Sequence, residues 1–156
     1  MRVLLFLTLI YGLTACSPFY VSTVGHGNLR TAKSVNFCDL QNFNGKLIKT
    51  TCIYSGYEEY WSAKGIDTCR IDGTVNLNFD NYYDSWKDIL IEHRMNKLHS
   101  KYWKYDARVT VKGIFTTDPN GFGHLNTSPS EIDIKSFKMK IIKKRVRKMN
   151  TTANKS

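Results

Sequence analysis

The chain has 156 residues, 42% hydrophobic, 13% aromatic and 23% charged, with a formal net charge of +10. That length supports one hydrophobic core rather than two, and the composition excludes a disordered or fibrous chain. The positive charge is local: residues 131–156 hold nine Lys or Arg against two acids, and the remainder is close to balance.

Residues 1–15 read as an export signal. Met1-Arg2 supplies the positive start, and "VLLFLTLIYGLTA" supplies the apolar run and the small residues before a cut. The run is shorter than the roughly 20 residues that cross a bilayer as a helix. Its end, Leu13-Thr14-Ala15-Cys16, resembles a bacterial lipobox. The resemblance implies diacylglycerol on the Cys16 thiol, cleavage before Cys16 and acylation of the new amino terminus. Acyl chains bury methylenes at about 0.8 kcal/mol each, so two or three of them hold a soluble domain on a membrane. Ser17 after Cys16 implies, by the same analogy, the outer membrane of a cell that has two. The expected location is the bacterial cell envelope, lipid-anchored and facing the periplasm; a plain signal peptide cut near Ala15 is the alternative. With Cys16 acylated, Cys38, Cys52 and Cys69 form an odd set in an oxidising space. One disulfide and one buried thiol satisfy it, and spacing leaves all three pairings open.

Residues 16–33 carry Pro, Gly, Ser and Thr without apolar period and read as a lipidated tether. The folded domain is expected over 34–148 and a frayed basic tail over 149–156. "SVNFCDLQNFNGK" reads as a short helical or turn segment closed by Asn44-Gly45. "KLIKTTCIYSGYEEYW" alternates as a strand with Gly56 as its bend, and Val75, Leu77 and Phe79 mark a second strand. "DSWKDILIEHRMNKLHSKYWK" is the one helix. Ser85 and Asp88 resemble a capping box, and Ile91, Met95, Leu98 and Tyr102 keep the spacing of a buried stripe. "ARVTVKGIFTTD" is a third strand, with Val109, Val111 and then Ile114 inward. "PNGFGHLN" follows as a Gly-rich connection. In the last strand Ile132 and Ile134 are even, whereas Phe137, Met139 and Ile141 are odd. The parity slips near Ser136, as a β-bulge requires.

Strand, strand, helix, strand, strand, with a first strand long enough to serve two edges, predicts a mainly β domain with one helix. The matching architecture is a small five-stranded barrel like the oligonucleotide/oligosaccharide-binding (OB) barrel, whose helix lies between the third and fourth strands. A half-open α+β sheet is the alternative.

Phe37-Cys38-Asp39-Leu40, Asn44-Gly45-Lys46, Glu58, Cys69 and Gly121-Phe122-Gly123-His124 stand in an order that resembles a group of small exported bacterial OB-like proteins. The match spans roughly residues 34–140. It implies a Cys38–Cys69 disulfide, which would stabilise by about 3–4 kcal/mol through loop closure. It also implies that Cys52 is the buried leftover thiol.

Candidate chemistry is sparse. Glu58 and Glu59, read as strand neighbours, point to opposite faces and make a poor acid–base pair, with Glu58 expected to accept hydrogen bonds near "GFGHL". His124 has no nucleophile motif beside it, so no catalytic residue and no enzymatic activity is assigned. Phe122 and His124 are expected at the barrel mouth as ligand contacts. No C-x-x-C or His cluster suggests a metal, and nothing suggests a cofactor. Lys138, Lys140 and Lys144 are expected to share a wet face that contacts ligand. The partners in keeping with an envelope are the membrane itself, a protein, or an anionic lipid or glycan. A secreted OB-fold nucleic-acid-binding protein is the alternative function, set back because the envelope normally offers no nucleic acid.

Overall fold

A computed structural model describes residues 20–22, 29–66, 74–80 and 88–144, with side chains over 29–66, 74–80 and 91–144. The export segment, Cys16, Cys69, the Ser85 cap, Trp86 and the tail lie outside these residues. Seven strands form one mixed sheet: β1 (Tyr20–Ser22), β2 (Lys33–Ser34), β3 (Lys46–Tyr57), β4 (Tyr60–Lys64), β5 (Val75–Asn78), β6 (Tyr105–Phe122) and β7 (Ser128–Lys143). The helix α1 (Asp88–His99) lies between β5 and β6 in the chain. The fold is mainly β.

Five of the strands close on themselves. β3 pairs with β4 and β6, β4 with β5, and β5 runs parallel to β7, which pairs with β6. This hydrogen-bonded ring has the expected strand count and helix position, but it divides the chain differently. The run read as one bent strand is a hairpin: β3 ends at Tyr57, and Glu58-Glu59 turns the chain into β4, with Tyr57 opposite Tyr60. Gly56 is therefore no bend. A Cβ there would lie 2.4 Å from the Tyr60 carbonyl oxygen and 2.6 Å from the Trp61 ring. The glycine lets the Trp61 ring lie across β3, as an aromatic covers a cross-strand glycine.

The parity slip in the last strand is real. Lys112 pairs with Ser136 and Gly113 with Ile134, so Lys135 is the extra residue of a bulge. A Cβ on Gly113 would come within 2.4 Å of the Asp133 carbonyl oxygen, so the strands meet too closely there for any other residue. The same glycine corrects another expectation. Gly113 occupies the inward position after Val111, so Phe115 enters the core and Ile114 faces out, 37% exposed.

The ring interior holds Ile48, Val75, Val109, Phe115, Ile134 and Phe137 among other apolar side chains, and Ile91, Met95 and Leu98 of α1 pack into the same core. Cys52 sits there as a free thiol, and burial pushes its pKa up to about 12. Cys38 is disulfide-bonded. It lies in the 3-10 turn Phe37–Phe43, where the Asn36 side chain accepts its backbone N–H at 2.9 Å. The segment read as a tether also departs from expectation. Tyr20–Ser22 pairs antiparallel with Lys138–Lys140 of β7, and Lys33–Ser34 runs parallel to β3. A tether reading weighs turn-forming composition and misses that β7 has an outer edge to be paired.

Candidate functional site

Two surfaces of this fold bring polar groups together. The first is a cleft of about 290 Å³ between the β3–β4 turn and the turn from β6 to β7. The β3–β4 turn is a two-residue hairpin in which Glu58 takes the left-handed conformation, φ +50°, that such turns demand. The Glu58 carbonyl accepts the Trp61 indole N–H at 2.7 Å, which fixes that ring at the cleft wall. From the far side, His124 Nε2 stands 3.3 Å from Glu59 Oε2, and its ring meets Tyr60 edge-on at 5.3 Å. The carboxylate expected near "GFGHL" is therefore Glu59 rather than Glu58. Both acids sit in the turn instead of on opposite strand faces.

His99, at the end of α1, completes the cleft. Its ring is tilted against Trp61 at 4.5 Å, and its Nε2 is buried with no hydrogen-bond partner among the described residues. Burial lowers its pKa from the ordinary 6.5, so the folded state holds the imidazole neutral. Because the unfolded chain binds that proton more readily, the contribution is present above about pH 6.5 and is lost as pH falls through that value toward the lower folded pKa. Unfolding midpoints measured from about pH 7 to pH 5 should fall more steeply in the wild type than in His99→Gln. Equal slopes would remove His99 as the cause.

The second surface is the outer face of β3, β6 and β7. Register sets Lys49 opposite Lys112, and Arg108 opposite Lys140, while Thr110 faces both Thr51 and Lys138. Lys49, Arg108, Lys138 and Lys140 are exposed, and the Lys112 ammonium donates to the Leu29 carbonyl at 3.4 Å. Thr51 and Thr110 share a 2.9 Å hydrogen bond between the cations. The acids that bound this face are already engaged: Asp106 with Lys144 at 3.3 Å, and Asp133 with Lys135 at 2.7 Å.

These arrangements separate the expected site residues. His124 is in the cleft. Phe122 is half-buried at the end of β6, opposite Ser128, and outside the cleft lining. The expected loop begins only after it, because β6 runs on through Pro119 and Asn120. Lys138 and Lys140 lie further along β7 and do not meet the cleft, whereas Lys144 is drawn to Asp106. Lys49, Arg108 and Lys112 are not singled out by sequence, and His99, six residues from His93 and on a nearly opposite helix face, is set aside as a metal ligand. Their alternation puts them outward or on a helix flank, but only cross-strand register shows what stands beside them. Among the described residues, no group of three His, Cys, Asp or Glu side chains could hold a metal. None of the helices there is long and apolar enough to cross a membrane. No protein-family model, curated protein or solved structure matches the chain.

Proposed function

We propose that the chain is a non-enzymatic lipoprotein of the bacterial cell envelope, anchored through Cys16, whose OB-like domain docks on an anionic envelope surface. The observation that carries this reading is the outer face of β3, β6 and β7. Five cations share it, and no carboxylate occupies an outward position of these strands between Asp106 and Asp133. A cation beside an anionic lipid surface gains about 1 kcal/mol, a gain lost beyond a Debye length of about 8–10 Å. A lipid anchor would keep the face within that range. The Cys38–Cys69 disulfide belongs to the same proposal, as the staple of an exported domain.

The nucleic-acid alternative is less well supported. Binding of single strands combines cations with aromatic rings on which bases stack. The outward cross-strand neighbours of these cations include Thr51, Thr110, Ile53 and Ser136, the exposed rings Tyr57, Tyr60 and Trp103 lie elsewhere, and register brings one aromatic residue, Tyr20 of β1, opposite Lys140. His124 has Glu59 and Tyr60 as its near neighbours rather than a Ser or Cys nucleophile, which favours binding over hydrolysis.

The anchor is tested by labelling. In cells fed a radioactive fatty acid, the wild type should carry label and Cys16→Ala should carry none. An unlabelled wild type contradicts the lipoprotein reading.

A further inference from the structure

We propose that the cleft between the β3–β4 turn and the β6–β7 turn is a second, independent binding site, and that its ligand is an uncharged saccharide. A sugar ring presents apolar C–H faces and a rim of hydroxyls, each of which both donates and accepts. The cleft matches both features. Trp61 and Tyr54, 5.1 Å apart, supply its apolar wall, and Tyr60, 49% exposed, supplies a ring at the mouth. Because Tyr60 meets His124 edge-on, at 86°, its face is not stacked against that imidazole. The polar groups along it are mainly acceptors: the Glu59 carboxylate accepts, the Thr127 hydroxyl, which donates to the His124 carbonyl at 3.0 Å, can accept, the Ser128 hydroxyl shares a 2.9 Å hydrogen bond with Thr74, and His99 brings a buried Nε2 with no partner among the described residues. A buried polar atom left unpaired is costly, and a ligand hydroxyl in the cleft would relieve it.

Other ligand classes fit less well. Two carboxylates at the mouth repel phosphate, and the one imidazole beside them already faces Glu59. Nucleotides and phosphorylated glycans are thereby disfavoured, so this site differs in sign from the cationic face. A peptide added as a strand would meet an edge of β4 that β5 already takes at Ala63, which pairs with Val75. The volume lies at the small end of ligand pockets and suits one or two rings rather than a long chain.

The test uses the exported chain and a panel of uncharged hexose and N-acetylhexosamine oligosaccharides, followed by tryptophan fluorescence, since Trp61 lines the site. At least one sugar should bind saturably. Tyr60→Ala and Glu59→Gln, both at exposed positions, should each weaken that binding by about tenfold or more, roughly the loss of one good contact. Neither should change the thermal midpoint or the partition onto anionic vesicles. The proposal is overturned if no sugar in the panel binds, if binding survives both substitutions unchanged, or if an oligonucleotide, a lysine-rich peptide or free phosphate competes for the cleft better than the sugars do.

Discussion

Phe137→Ala should lower the free energy of unfolding by about 3–5 kcal/mol, seen as a lower denaturant midpoint at an unchanged m-value. Phe137 is 2% exposed and is the first inward residue after the bulge at Lys135. It meets Phe79 edge-on at 5.1 Å, and Phe79 meets Tyr54 in the same way at 5.6 Å. These rings join β7 to the end of β5 and to β3 across the interior of the ring. Its strands are hydrogen-bonded to neighbours on both sides, so they cannot collapse far into the space left behind. Lys138→Ala, one residue on and exposed, should change stability by no more than about 0.5 kcal/mol. Comparable losses at the two positions would mean that the phase of β7 is wrong.

The second large effect concerns the cationic face. Arg108→Glu, Lys138→Glu and Lys140→Glu combined should weaken partition onto phosphatidylglycerol vesicles by at least about a hundredfold. Removing three attractions of about 1 kcal/mol each gives that factor, and repulsion by the new carboxylates adds to it. Lys46→Glu, Lys101→Glu and Lys104→Glu combined change the net charge equally, at positions off the face. They should cost far less. Similar losses in the two triple variants would show that total charge matters and the face does not.

Much of this architecture is readable from period alone. The bulge in β7 is visible because one missed beat moves every later side chain to the other face, and a buried strand does not tolerate that. The helix stripe of Ile91, Met95 and Leu98 is visible for the analogous reason at its own period. The β3–β4 hairpin is hidden because Glu58-Glu59 lacks the Asn-Gly or Asp-Gly chemistry that announces a two-residue turn, and Gly56 beside it looks like a bend. Ile114 is misplaced because an apolar residue is the natural candidate for the core, whereas the inward place belongs to Gly113, whose lack of a side chain lets β6 and β7 touch.

The candidate sites divide along the same line. Lys138 and Lys140 follow from alternation within one strand. Lys49, Arg108 and Lys112 join them only through the pairing of β3 with β6 and of β6 with β7. Lys144 leaves the group because Asp106, on another strand, captures it. In the cleft, Glu59 and His124 come from turns distant in sequence, and neither turn contains a pattern that names the other. His99 on a helix flank looks like a solvated side chain until Trp61 is seen against it.

The central claim, that this domain docks on an anionic envelope surface through one face, is tested most directly by vesicle partition. The exported chain carrying Cys16→Ser, and so lacking the acyl anchor, is sedimented with phosphatidylglycerol or phosphatidylcholine vesicles at low and high salt. The account predicts binding to the anionic vesicles alone, falling steeply as salt screens the charges. Equal partition onto both kinds of vesicle, or binding to the anionic ones that is indifferent to salt, would contradict it.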